Sequence, residues 1–398
     1  MLLSVIIVNH NVKLYLEQCL YSVLRAGSSI DMEIIVVDNH SSDGSRHYLE
    51  PAFPQVQFIW NTENLGFAKA CNIGWQRAAG RHILFLNPDT IVGEECFEYC
   101  LRFQQEAAHC GALGVRMINE RGLFLKESKR GFPSPLVSFF RLTGLSALFP
   151  KSALFAQYYL GHLPELETHE IDVVAGAFMM LKKEVLDEVG GFDESFFMYG
   201  EDIDLSYRIQ KQGYRNYYYP EVTILHFKGR STPHKNLQYL KTFYGAMKIF
   251  IDKHYGKSEK KFLSFLLQAG IRLKIIAARI SLVLSGLLRR ETKKSDTLTQ
   301  KILIVGMEER EAGYLKQLIA PRYGLAQKSL VFLPVDKNMK INTSPAGAVL
   351  KNDKASKIIL CEGNLTFREL IALREALSWC RAITGFHARG SRGIPGEV

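Results

Sequence analysis

Four polar clusters hold groups able to do chemistry, and each follows an apolar run. The first is Asp38-Asn39-His40-Ser41-Ser42-Asp43, after the run ending at Val37. A carboxylate or amide there can hydrogen-bond a pyrimidine edge and a ribose. The same residue types cap helices, so a structural explanation stands beside the chemical one. The second is Asn87-Pro88-Asp89. A hard divalent cation takes oxygen ligands and tolerates a diphosphate as partner, and Asp89 offers one carboxylate. A single turn carboxylate is not a metal site, so further ligands must come from elsewhere.

The third cluster places Glu201, Asp202 and Asp204 behind Phe196-Phe197-Met198-Tyr199-Gly200. A helix starting here favours negative charge at its N-terminus. That accounts for the carboxylates but not for the aromatic run. A carboxylate beside an apolar wall suits a general base for a hydroxyl; a capped surface helix is the plainer alternative. In the fourth, His226 is followed by Lys228, Arg230 and Ser231, which suits a diphosphate. Mn²⁺ accepts imidazole beside oxygens, although a lone strand histidine is more often structural.

Such groups need a frame. Ser4–Val8 is continuous and β-branched, as a strand buried on both faces should be. The spacing of Leu16, Leu20, Val23 and Leu24 predicts a helix over Val12–Ala26. Strands are predicted at Glu33–Val37, Val56–Trp60 and His82–Leu86, with a helix at Gly66–Ala79. This alternation predicts a parallel sheet with helices on both faces. Ligands of such sheets bind at the carboxyl ends of the strands, where Asn9-His10-Asn11, Asp38-Asn39 and Asn87-Pro88-Asp89 fall. Phe124 to Thr168 is irregular and reads as a mobile acceptor loop. A strand over Val173–Leu181, a helix over Asp202–Gln212 closed by Gly213, and a short strand at Thr223–Phe227 follow.

The 398 residues exceed one ordinary core and predict two domains. A composition 47% hydrophobic and 23% charged argues against disorder. The formal net charge of +10 suits a phosphate-bearing or anionic-lipid partner, and equally a solubilising surface. The basic residues are not interleaved with aromatics in a nucleic-acid motif, so no nucleic-acid partner is expected. Seven cysteines without a paired framework predict buried thiols in a reducing compartment. Cys96, Cys100, His109 and Cys110 lack a second ligand pair at zinc spacing. The short N-terminal apolar run has no basic stretch before it, so a cytoplasmic protein is expected.

Lys260–Arg290 is apolar but interrupted by Arg272, Lys274 and Arg279. A spanning helix needs about 20 mostly uncharged residues. The segment therefore predicts helices lying on an anionic membrane surface, or, equally, a helical pair packed on the preceding domain. Glu291–Gln300 reads as a linker, after which Lys301–Val305, Ile358–Leu360 and Phe367–Leu377 restart the strand-helix alternation. The tail Ala388–Val398 is expected to be flexible. The resulting division is 1–256, 257–296 and 297–398, with the last unit expected to be removable without loss of activity.

Taken in order, these segments resemble family-2 glycosyltransferases of the inverting GT-A type, above all rhamnosyltransferase-like and galactofuranosyltransferase-like members. The matching stretches are SVIIVNHN (4–11), VVDNHSSDGS (36–45), NTENLGFAKACNIG (61–74), LFLNPDT (84–90), the long run from Gly176 to Tyr214, and HFKGRS (226–231). The resemblance implies a GT-A fold, an α/β Rossmann-like mixed sheet with flanking helices. It implies that Asn9, Asp38, Asn39 and Asp43 line a nucleoside pocket, and that Asn64, Gly66, Lys69 and Asn87 face the donor. Asp89 would hold Mn²⁺ or Mg²⁺ on the diphosphate, with His226 as a second ligand. Asp202 would be the catalytic base, and Glu201 would place the acceptor. Asn39 stands where many relatives carry a second Asp, and Asn87-Pro88-Asp89 where many carry Asp-x-Asp; both departures occur in the rhamnosyltransferase-like branch.

The implied reaction moves rhamnose or a similar hexose from a UDP- or dTDP-sugar to a lipid-linked saccharide for a surface polysaccharide. A non-catalytic nucleotide-sugar or glycan-binding protein is the alternative. The unit after Lys301 resembles a Rossmann-like sensor domain of some polyprenyl-phosphate sugar transferases. Only Gly306 fits a phosphate-binding turn, since Glu308 and Arg310 stand where further glycines would be useful. An interaction or regulatory unit without its own chemistry is expected there.

Overall fold

The computed structural model describes residues 1–133, 137, 140, 144–229, 237–255, 302–306, 313, 315, 330–333, 357–363, 365–378 and 383–395. Four strands open it: β1 (Leu3–Asn9), β2 (Met32–Asp38), β3 (Gln57–Trp60) and β4 (His82–Leu86). They pair in parallel in the order β3-β2-β1-β4. Helices α1 (Lys13–Ala26), α2 (Ser45–Leu49) and α3 (Phe67–Arg77) connect them. Val5, Ile6, Ile7, Val36 and Val37 are all buried, because helices cover both faces of the sheet.

The sheet then turns mixed. The chain adds β5 (Thr90–Ile91), helix α4 (Cys96–Glu106), β6 (Cys110–Ile118), β7 (His169–Ile171), β8 (Phe178–Lys182) and β9 (Arg215–His226). Strand β8 runs antiparallel to β4 and β6, whereas β9 runs parallel to β6. Helices α5 (Lys183–Val189), α6 (Glu201–Lys211) and α7 (Leu237–His254) follow β8 and β9. Asp204, fully buried on α6, holds α7 by accepting from Lys253 at 2.8 Å and meeting His254 at 2.6 Å.

Three expectations from sequence are corrected. The strand read over Val173–Leu181 begins only at Phe178. Before it, backbone N–H groups leave the ladder: Val173 donates to Arg130 O, Val174 to Ser206 Oγ and Gly176 to Asp202 Oδ2. The short strand at Thr223–Phe227 is the end of the 12-residue β9. The tail is not loose as far as residue 395. Ala388 N donates to Gln18 Oε1 at 2.5 Å, Arg392 N to Glu17 Oε1 at 2.7 Å, and Tyr21 Oη to Gly390 O at 2.8 Å. Glu17 and Gln18 are buried polar groups on α1 that require partners, and the tail supplies them.

A second sheet, β11-β10-β12-β13, is parallel throughout. Its strands are β10 (Ile302–Val305), β11 (Leu330–Leu333), β12 (Lys357–Cys361) and β13 (Ile383–His387), and α8 (Phe367–Ala376) precedes β13. Thr366 and Glu369 close a reciprocal cap at the start of α8. Phe367, Leu370, Leu373 and Phe386 share one buried cluster with Ile91, Ile118, Leu225 and Phe227 of the first sheet. Across the same contact Arg116 donates to Glu375 at 2.5 Å and to Glu165 at 2.9 Å. A Cβ at Gly306 would stand 2.4 Å from Cys361 O, so this glycine serves strand packing.

The described cysteines are all free and buried. Among the described residues no cluster of three or more His, Cys, Asp or Glu side chains is arranged for a metal, and no helix is long and apolar enough to cross a membrane. Arg230, Ser231 and the basic segment 257–296 lie outside the described residues.

Candidate active site

A cavity of ≈ 290 Å³ opens at the carboxyl ends of β1, β2 and β4. Val8, His10 and Asn39 line it from the first two strands, and Asn87, Pro88 and Asp89 from the third. The end of β9 adds His226 and Lys228, and the start of α6 adds Glu201 and Asp202. The sequence clusters therefore meet in one place, as the strand-end argument requires.

Asp89 and His226 are distant in sequence but form one unit in space. His226 Nε2 lies 3.2 Å from Asp89 Oδ1, with side-chain exposures of 8% and 4%. Asn87 Nδ2 lies 3.5 Å from the same imidazole nitrogen. His226 Nδ1 is buried without a hydrogen-bond partner. One carboxylate oxygen and one imidazole nitrogen at this separation fit a divalent cation that also accepts oxygen ligands from a substrate.

The α6 carboxylates are presented by two left-handed residues, Tyr199 (φ 68°) and Gly200 (φ 86°). Positive φ at a bulky residue such as Tyr199 is uncommon and points to a functional constraint. Phe196 anchors the turn in a buried cluster with Ile203, Ala246 and Phe250. Phe197 O accepts from Phe67 N at 2.8 Å, and a Cβ at Gly66 would meet that carbonyl at 2.5 Å. The aromatic run thus ties the donor-side loop to the acidic helix. Burial, and then the charge of Asp202, push the Glu201 carboxyl up to about 8. Asp202 Oδ2 accepts from Arg130 Nη2 and from Gly176 N, and Oδ1 from Ile203 N.

Several expected nucleoside residues act on the frame. Asn9 Nδ2 donates to Asp38 Oδ2 at 2.6 Å and to Ser45 Oγ at 3.0 Å. Asp43 accepts from Lys13 N and Ser45 N, the first residues of α1 and α2. Asn39 Nδ2 donates to Asn64 Oδ1 at 2.9 Å and Gly66 O at 3.0 Å, while its Oδ1 accepts from Leu65 N. Asn39 and Asn64 reach the cavity wall; Asn9, Asp38, Asp43, Gly66 and Lys69 are not part of it, and Lys69 is exposed on α3.

Glu127, Arg130 and Tyr158 on the wall carried no sequence signal as chemistry, whereas His10 belongs to the polar cluster after β1. His10 Nδ1 lies 3.0 Å from Asn39 O. Burial works to raise the Glu127 carboxyl, but the Lys228 ammonium paired with it outweighs this and holds it below the ordinary range. Burial works against the charge on Arg130, and Asp202 with Tyr158 more than restores it.

The profile described as glycosyl transferase family 2 matches residues 4–190. Residues 4–190 are a family-2 glycosyltransferase domain. The profile described as N-terminal domain of galactosyltransferase matches residues 167–235, which include α6 and β9. An N-acetylglucosaminyl-diphospho-decaprenol L-rhamnosyltransferase of Mycobacterium tuberculosis is 27% identical over 266 residues, 64% of this chain and 85% of that protein. Rhamnosyltransferase WbbL of Escherichia coli is 27% identical over 231 residues, 56% and 82% of the two chains. Among solved structures, a mannosyltransferase of Pyrobaculum calidifontis in complex with GDP-Man and Mn²⁺ overlays with a TM-score of 0.45 at 17% identity, covering 72% of this chain and 79% of that one. The family-2 glycosyltransferase is of the rhamnosyltransferase-like type, has the mixed α/β sheet of the GT-A fold, and works in glycan biosynthesis.

Proposed function

We propose that this glycosyltransferase moves rhamnose or a similar hexose, with inversion, from a UDP- or dTDP-sugar to a saccharide carried on a diphospho-lipid. The observation that carries the reading is one cavity walled both by the Asp89–His226 pair and by Glu201 and Asp202. The mycobacterial relative's name supplies the lipid-diphosphate acceptor and the rhamnose. We assign the segment 257–296 to an anionic membrane surface on the cytoplasmic side, in keeping with its basic flanks.

Asp89 and His226 would hold Mn²⁺ or Mg²⁺. Such an ion, when bound, neutralises charge on the departing nucleoside diphosphate. Asp202 takes the proton from the acceptor hydroxyl as its oxygen attacks the anomeric carbon. The bond from that carbon to the diphosphate oxygen breaks, and its electron pair leaves with the nucleotide. Glu201, protonated up to about 8, is able to donate a hydrogen bond to the acceptor.

The test is a thermal-shift screen of the full chain against UDP- and dTDP-sugars with and without Mn²⁺, followed by transfer to a short-chain diphospho-lipid sugar. A Mn²⁺-dependent rise with one donor, then transfer, is expected. Binding without turnover favours the non-catalytic alternative, and no shift with any nucleotide sugar defeats both.

A further inference from the structure

The carboxylate expected to act as base is already occupied. Arg130 lies on the segment after β6, where its backbone O accepts from Val173 N at 2.9 Å. Its Nη2 donates to Asp202 Oδ2 and reaches Val174 O at 3.5 Å. With Gly176 N and Ile203 N, three N–H groups bind one carboxylate. A carboxylate held this way is well oriented, and its Oδ2 is taken up by Arg130 Nη2 and Gly176 N.

The arginine itself has spare capacity. Its Nε is buried with no acceptor, although the guanidinium lines the cavity and Tyr158 is hydrogen-bonded with it. A buried donor left unmatched requires an explanation. Guanidinium presents a planar fork that suits phosphate oxygens better than any other side chain does. A phosphate on the anomeric carbon of an acceptor sugar lies one ring away from the attacking hydroxyl. The same arginine is thus placed to exchange a carboxylate for an acceptor phosphate.

We propose that Arg130 is an acceptor-operated latch on Asp202, holding the carboxylate until an acceptor phosphate draws the guanidinium away. The proposal rests on Asp202 being the base. It assigns Arg130 two duties as a positioning residue. With no acceptor present it keeps Asp202 from activating water. In that side reaction water oxygen attacks the anomeric carbon, its proton passes to Asp202, and the sugar–diphosphate bond breaks to give free sugar and nucleotide. With acceptor present it selects sugars bearing a phosphate over the same sugars without one.

The test uses the full chain and two probe acceptors, an alkyl-diphospho-N-acetylglucosamine and an alkyl N-acetylglucosaminide lacking phosphate. In Arg130→Gln, acceptor-free donor hydrolysis relative to transfer should rise about tenfold, equivalent to ~1.4 kcal/mol. Its preference for the phosphorylated probe should fall by a similar factor, chiefly through KM. Arg130→Lys keeps the charge without the fork and should fall between the two; it also decides the matter where the glutamine variant does not fold. A merely structural arginine predicts hydrolysis and both transfers falling together, with preference unchanged, and that result overturns the latch. Asp202→Asn separates the two layers. If it keeps turnover, the base assignment fails and the latch with it. If it is inactive while Arg130→Gln and Arg130→Lys keep the parent's ratios, only the latch fails.

Discussion

His226 Nε2 stands 3.2 Å from Asp89 Oδ1 because β5 pairs antiparallel with the end of β9, setting Thr90 opposite His226. Phe227 N donates to Asp89 O at 2.9 Å and closes the other side of the turn. Backbone pairing on both sides of the turn therefore sets the two side chains against each other. Asp89→Ala and His226→Ala should each weaken Mn²⁺-dependent donor binding by at least about tenfold, the loss typical even of residues one step removed from a metal. Donor titration with and without Mn²⁺ reads this directly. A variant whose Mn²⁺ titration matches the parent's has lost no ligand.

Asn39 makes a sharper prediction, because its two amide protons face two acceptors. They go to Asn64 Oδ1 and Gly66 O, and Asn39 itself is 3% exposed. A carboxylate there has no proton to give, and both acceptors would face its charge. Asn39→Asp should cost about 1–3 kcal/mol of stability, the range for leaving buried polar groups unmatched. Urea denaturation measures it. An unchanged midpoint would mean that the 61–66 loop rearranges freely around the added charge.

Glu201 gives the fold a pH dependence whose sign can be stated. Its carboxyl is raised from the ordinary 4.5 to about 8, by burial first and by Asp202 second. Between those values the folded chain holds a proton that the unfolded chain releases. The stability this contributes is complete below 4.5 and is lost as pH rises toward 8. Gln cannot titrate, so Glu201→Gln should gain on the parent as pH rises. Midpoints at about pH 5 and about pH 8.5 should diverge in the variant's favour. Parallel pH profiles would show that Glu201 is ionised in the folded protein at neutral pH.

Much of this site was legible because strand ends are legible. Val5–Val8, Ile34–Val37 and Ile83–Leu86 are unbroken apolar runs, and the polar residue after each must lie at the sheet's carboxyl edge. Strand β6 gives no clear strand signal, because Cys110–Ile118 mixes Gly111, Gly114 and Arg116 into an otherwise apolar run that is buried throughout. Arg130 and Tyr158 were beyond reach for another reason. They sit in a stretch without periodicity; Val173 N, bonded to Arg130 O, sets Arg130 against Asp202, and Gly131 N, bonded to Tyr158 O, sets Tyr158 beside it. The frame duties of Asn9, Asp38 and Asp43 were likewise hidden, since a cap and a ligand use the same side chains.

The second sheet bears on the site through one aromatic column. Phe386 of β13 lies between Phe227 and Phe367, with ring centroids 6.4 and 6.2 Å away. Phe227 is the residue after His226, and its N–H holds Asp89's carbonyl. Removing the Phe386 ring should cost about 3–5 kcal/mol, as for other buried Phe→Ala changes. It should also loosen β9 at His226, so Mn²⁺-dependent donor binding should weaken in the fraction that folds. Leu186→Ala is the control: Leu186 is fully buried on α5 in a different cluster, and should cost stability without that loss. The sequence alone suggested that 297–398 could be removed harmlessly, and the shared cluster of Ile91, Ile118, Leu225 and Phe227 argues otherwise. If folded Phe386→Ala binds donor as the parent does, the second sheet lends stability alone, and a truncated chain solubilised by polar substitutions on that face should remain active.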